Sequence, residues 1–62
     1  MDIEFKGRES QVAGRLKELQ DRFPEIDVGS YPQGPMSVII RLTGSRARVL
    51  IAEMELKDRL TD

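Results

Sequence analysis

The sequence predicts an α+β domain of element order β-α-β-β-α, with a three-stranded antiparallel sheet of order 1-3-2 and two helices on one face. Apolar and polar residues alternate in residues 2–6, 26–28 and 36–43, as in half-buried strands. Apolar residues recur at helical spacing in residues 9–23 and 45–59. The arrangement is a two-layer sandwich, ferredoxin-like without its last strand.

At Gly7 the spacing of the apolar residues changes from every second residue, as in a strand, to every third or fourth, as in a helix. Before it, Ile3 and Phe5 lie on one side of a strand. After it, a helix is predicted whose apolar stripe consists of Val12, Leu16, Leu19 and Phe23. Pro24 biases Phe23 away from helical geometry, so the helix ends there.

A hairpin is predicted to join the second and third strands. Residues 31–34, Tyr-Pro-Gln-Gly, fit a type I turn with proline in its second position and glycine in its fourth. Residues 36–43 form the most apolar strand, which suits the middle of a sheet. Its predicted core-facing residues are Met36, Val38, Ile40 and Leu42.

The predicted strand order leaves one sheet edge open. A right-handed crossover makes the first two strands parallel, and the hairpin makes the third antiparallel to the second, so it fits between them. The first strand then lies at an edge, which predicts a docking or dimer surface.

The last helix carries two apolar stripes. Val49, Ala52, Leu56 and Leu60 form the first, which suits the sheet. The second lies almost opposite and consists of Ala47, Leu50, Ile51 and Met54. Two interpretations of the second stripe stay open: packing on the first helix, or an interface with a second copy or a parent protein.

Composition narrows the classes of function. The 62 residues predict one domain, and they include no cysteine and no histidine, so the commonest metal ligands and the commonest general base are missing. Ten basic and eleven acidic residues give a net charge of −1, which argues against a general electrostatic grip on nucleic acid. No apolar run approaches membrane-spanning length. We expect a cytoplasmic, non-enzymatic domain without cofactor or metal, and without nucleic-acid or membrane partners.

One cluster of residues could bind an anion. Arg41, Ser45, Arg46 and Arg48 surround the turn into the last helix. Free N–H groups at a helix start and arginine guanidinium groups both suit phosphate or carboxylate. The alternative is that these arginines pair with carboxylates of the same chain.

Three segments resemble a known family: residues 7–13, GRESQVA; Phe23-Pro24; and residues 26–32, IDVGSYP. They are similar to the C-terminal extension of molybdopterin-binding-domain proteins related to the competence/damage-inducible protein A family. That group includes the molybdopterin-binding-like half of some FAD synthases. The most specific part is the signature Gly29, Ser30, Tyr31 and Pro32, for which a structural role is expected.

The resemblance implies an accessory domain of a protein related to molybdenum cofactor biosynthesis. The domain would be the C-terminal module of a larger protein or a stand-alone homologue. Its partner would be the parent protein's molybdopterin-binding-like domain or a second copy, in an oligomer. The alternative function is a small module that binds the phosphate of a nucleotide or pterin. Pterin or nucleotide chemistry would belong to the preceding domain of the family, so no catalytic residue is assigned here.

Overall fold

The fold follows the predicted element order. A computed structural model describes residues 1–60. Its elements are β1 (Asp2–Lys6), α1 (Glu9–Arg22), β2 (Asp27–Gly34), β3 (Ser37–Thr43) and α2 (Arg46–Leu60). The predicted α+β class and strand order are confirmed, with β3 between β1 and β2 and antiparallel to both.

Helix α1 packs one face on the sheet and ends at the predicted place. Val12, Leu16 and Leu19 are its buried residues. The N–H of Phe23 closes the last turn on the carbonyl of Leu19 at 2.9 Å. Pro24 follows, so the chain leaves the helix and turns toward the sheet.

The hairpin differs from the prediction, because Tyr31 and Pro32 lie inside β2 and form no turn. The strand runs to Gly34, and the chain reverses at Pro35 and Met36. Pro32 is tolerated because β2 is an edge strand, where a missing N–H costs no bond within the sheet. The register shifts between Pro32 and Gly34, leaving Gln33 as a bulge.

The core lies between the sheet and both helices. Its buried side chains are Val12, Leu16, Leu19, Phe23, Ile26, Val38, Ile40, Leu42, Val49, Ala52 and Leu56. Ile3, Phe5, Val28 and Leu60 pack against this cluster. Met36 is an exception to the predicted β3 face: it lies in the hairpin turn and is 56% exposed. The described residues include no buried polar or charged side chain.

The turn into α2 depends on a close approach at Gly44. Its φ of 154° is rare for other residues, and an added Cβ would lie 2.8 Å from Cγ2 of Ile26. The contact brings the start of α2 down onto the residue that precedes β2. Helix α2 then buries Val49, Ala52 and Leu56, as the first of its two stripes predicts.

Candidate interaction surfaces

The outer edge of β1 presents unpaired main-chain groups. Met1 and Leu42 exchange two main-chain hydrogen bonds of 2.8 Å, and the N–H of Gly7 donates to the carbonyl of Met36 at 2.8 Å. Bonded and non-bonded pairs alternate along an antiparallel ladder, so Ile3 and Phe5 also bond to β3. The N–H and C=O groups of Asp2, Glu4 and Lys6 therefore point away from the sheet. No strand among residues 1–60 covers them.

The outer edge of β2 is largely closed. The Val28 N–H points outward and donates to Oε1 of Gln20 at 3.0 Å. By the same alternation Ser30 and Pro32 also point outward, and proline has no N–H to offer. Ser30 thus keeps the one outward N–H of β2 between Val28 and Pro32 that lacks a partner among the described residues.

Gln20 has three partners in this region. Its Nε2 donates to the carbonyls of Phe23 at 3.1 Å and Ile26 at 2.7 Å, besides the bond that its Oε1 accepts from Val28. The Gln20 side chain therefore hydrogen-bonds main-chain groups of the turn after α1 and the outward N–H at the start of β2. The sequence reasoning missed this residue. A polar residue on a helix beside the apolar stripe gives no signal that distinguishes it from a solvent-facing one.

The second stripe of α2 points away from the sheet. Leu50 is 42% exposed, Ile51 45% and Met54 71%, and Ala47 is also exposed. The interpretation that this stripe packs on α1 is therefore wrong. The side of α2 that faces α1 is a different one, which carries Glu55 and Arg59.

Polar contacts join the two helices on that side. Nη2 of Arg22 lies 2.8 Å from Oε1 of Glu55, and Nη1 of Arg59 lies 2.6 Å from Oε2 of Glu18. Arg15 donates to the carbonyl of Arg59 at 2.7 Å. The flank of α2 beside α1 is therefore polar, and the second stripe lies on another side of the helix, opposite the buried residues Val49, Ala52 and Leu56.

Arg41, the first residue of the predicted anion cluster, lies on the sheet face opposite the helices. Its Nε donates to Oδ1 of Asp2 at 3.0 Å, and its guanidinium carbon lies 5.9 Å from the centroid of the Tyr31 ring. The hydrogen bond from Arg41 lowers the pKa of Asp2 and raises that of Arg41 itself. The Asp2 carboxylate thus already binds the Arg41 guanidinium that a bound anion would need.

The other members of the cluster lie at the start of α2. The hydroxyl of Ser45 accepts from the Arg48 N–H at 3.3 Å, as an N-cap does. Nε of Arg48 donates to Glu25 at 2.6 Å, and its guanidinium lies 5.4 Å from the Phe23 ring centroid. A backbone hydrogen bond at Glu25, helped by Arg48, lowers the pKa of that carboxyl. Arg46 is exposed and has no ion pair within residues 1–60.

The structure therefore divides the predicted cluster. Arg41 belongs to the open sheet face, whereas Ser45, Arg46 and Arg48 belong to the turn into α2. Both Arg41 and Arg48 already bind carboxylates, which is the alternative that the sequence left open.

The signature residues are split between the two faces of β2. Gly29 and Tyr31 pair with Arg41 and Ile39 and lie on the open sheet face. Ser30 and Pro32 lie on the helix side, where the Ser30 hydroxyl donates to Oε2 of Glu9 at 3.3 Å. The Tyr31 ring is 45% exposed and lies beside Arg41 of β3 on that face.

Within residues 1–60, no three acidic side chains lie close enough together to hold a metal ion. None of the helices in that part of the chain has both the length and the apolar character of a membrane span.

The chain matches the model of a known protein family. The family model described as "FAD synthase, middle domain" matches residues 1–62, which is the whole chain. This match confirms the FAD synthase part of the resemblance. No curated protein and no solved structure matches the chain. The chain belongs to the FAD synthase middle domain family.

Proposed function

We propose that this chain is a non-catalytic accessory domain of a FAD synthase-type protein, and that it acts by protein–protein contact. The family description, a middle domain of a FAD synthase, supports an accessory role. The proposed partner is a molybdopterin-binding-like domain or a second copy of the chain, as in proteins related to the competence/damage-inducible protein A family.

The observation that carries this proposal is the second stripe of α2, called the outer stripe from here on because it faces away from the sheet. Leu50, Ile51 and Met54 form an exposed apolar row on a helix that already contacts the sheet and α1 through two other sides. Covering such a row removes apolar area from water, at about 25 cal/mol per Å². Monomeric domains seldom leave adjacent large apolar side chains exposed unless they serve a contact.

The outer stripe also lies near the open edge of β1. Leu50 and Met1 line one groove of about 390 Å³, together with residues at the end of β3. A partner on the helix can therefore reach the start of β1. The strand edge and the outer stripe are therefore neighbouring surfaces in this proposal.

The chemistry of the chain supports a non-catalytic role. It has no cysteine or histidine, and within residues 1–60 the groups with altered pKa values are surface residues in ion pairs: Asp2, Glu25 and Arg41. The pKa values of the Asp2 and Glu25 carboxyls are lowered, so neither is poised as an acid or base near neutral pH. We expect the chain alone to show no FAD formation.

The test is binding to a separate molybdopterin-binding-like domain from a FAD synthase. Ile51→Lys together with Met54→Lys is expected to weaken binding at least about tenfold, because charges replace the apolar contact. The control is Met36→Lys, which changes another exposed methionine, in the hairpin turn and outside the stripe. Equal binding by all three proteins, measured by calorimetry, would remove the outer stripe from the docking surface.

The anion-binding alternative has less support, because Arg41 and Arg48 are already paired. It predicts amide chemical-shift changes confined to residues 41–48 when inorganic phosphate or a nucleotide is added. Arg46→Ala should then abolish the changes at the start of α2. We expect no saturable change there.

A further inference from the structure

The open edge of β1 has the residue pattern of a strand that can pair with itself. Its outward N–H and C=O groups belong to Asp2, Glu4 and Lys6, spaced evenly about Glu4. Two antiparallel copies centred on Glu4 place each outward residue opposite another outward residue. Every outward main-chain group of one strand then meets a complementary group of the other.

We propose that two copies of this domain pair through β1, antiparallel and centred on Glu4, to form one continuous sheet. This inference rests on the proposed function, since it names a second copy as the occupant of the strand edge. Such pairing adds a strand at a free edge, where main-chain hydrogen bonds supply much of the affinity.

Charge complementarity favours this register. Asp2 of one copy lies opposite Lys6 of the other, and the arrangement occurs twice. Lys6 forms no ion pair within residues 1–60, so it is available for this contact. On the helix side, half-buried Ile3 lies opposite half-buried Phe5 of the second copy. Cross-strand pairs of both kinds stabilise antiparallel sheets.

The two neighbouring registers pair fewer of the outward residues of β1. Centring on Ile3 places Asp2 opposite Glu4 of the second copy, which opposes like charges. Centring on Phe5 pairs Glu4 with Lys6 but moves Asp2 opposite Arg8, whose N–H already donates to Oε1 of Gln11 at 2.7 Å. The register centred on Glu4 is the one that uses all three outward residues.

The proposed register has one unfavourable contact, which makes it testable. The two Glu4 side chains meet on the open sheet face. Each carboxylate accepts a hydrogen bond from the Ser37 hydroxyl of its own chain at 3.0 Å. Glu4→Gln removes the like-charge contact and should tighten the dimer roughly twofold to fivefold.

Cross-linking tests the register directly, because the natural chain has no cysteine. In this register the residue 4 Cα atoms lie about 5.5 Å apart, within disulfide range. Those of residue 6 lie about 14 Å apart, since each is two residues from the centre. Glu4→Cys should therefore form a disulfide-linked dimer under mild oxidation. Lys6→Cys and the hairpin control Gln33→Cys should stay largely monomeric.

Sedimentation measures the same contact without cross-linking. Lys6→Glu opposes like charges twice and should raise the dimer dissociation constant about tenfold. A wild-type chain that sediments as a monomer at high concentration would overturn the inference. Equal cross-linking of Glu4→Cys and Lys6→Cys would overturn the register.

Failure of this inference can be told apart from failure of the proposed function. A monomeric chain that binds the molybdopterin-binding-like domain through its outer stripe retains the proposed function and loses only the β1 dimer. A chain that neither dimerises nor binds that domain loses both.

Discussion

The two edges of the sheet differ in what they offer to another strand. On β1, Asp2, Glu4 and Lys6 all point N–H and C=O groups outward. On β2, Gln20 occupies the Val28 N–H, Pro32 has none, and the bulge at Gln33 interrupts the ladder. Natural sheets often protect edges with prolines and bulges. Here one edge is protected in that way and the other is not, which identifies β1 as the edge available for contact.

Among the changes that test this difference between the two edges, a proline substitution in β1 is expected to change the free energy of unfolding most. Ile3→Pro removes an N–H that bonds to β3 and part of the core contact, so it should destabilise the fold by about 3 kcal/mol. Glu4→Pro removes an outward N–H and should cost much less. The free energy of unfolding in urea measures both. Equal losses would show that the assignment of inward and outward groups on β1 is wrong.

Gln20→Ala tests how the β2 edge is closed. It removes three hydrogen bonds, at the Phe23 and Ile26 carbonyls and the Val28 N–H, and should cost about 2 kcal/mol. Amide exchange at Val28 should accelerate. Gln33→Ala, which removes only an acceptor for the Ser37 hydroxyl, is the control and should change little. Unchanged exchange at Val28 would mean that Gln20 does not cover that edge.

Pro32→Ala is a milder test of the same edge. It should lower the free energy of unfolding by about 0.5 kcal/mol, because the unfolded chain gains freedom. The amide N–H that this substitution adds at position 32 should exchange rapidly, since no acceptor in the described part of the chain faces it. Slow exchange of this amide would show that position 32 does not point outward.

Substitution of Asp2, in β1, is expected to change the free energy of unfolding least. The pKa of Asp2 is lowered in the folded state by the hydrogen bond from Arg41, so its contribution to stability is complete well above pH 3.8. The contribution is lost as pH falls below that value toward the folded-state pKa. Asp2→Asn should therefore reduce the acid dependence of the unfolding free energy, and an unchanged pH profile would contradict the pairing.

Much of the fold could be predicted because local patterns and handedness act together. Alternation in residues 2–6 and 36–43 identified two strands, and the crossover rule placed the third strand in the centre. The turn was misplaced for a physical reason. Pro32 fits a type I turn as well as an edge strand, and the choice between them depends on the pairing of Tyr31 with Ile39.

The surfaces were less predictable than the fold. Helical spacing predicted which residues form the outer stripe of α2. It did not predict which side of α2 faces α1, because that depends on tertiary contacts. Arg22 with Glu55 and Glu18 with Arg59 joined the helices through charges instead. The role of Gln20 depends on two main-chain segments that meet it only in the folded chain.

The closed β2 edge also limits how large an assembly can become. A strand added at β1 would have to be followed by another at β2 for a filament to grow. Gln20, Pro32 and the bulge leave few groups for that second step. Contact through β1 alone uses the same patch on both molecules and ends with the pair. The side chain of one glutamine and the ring of one proline thus protect the domain against open-ended polymerisation.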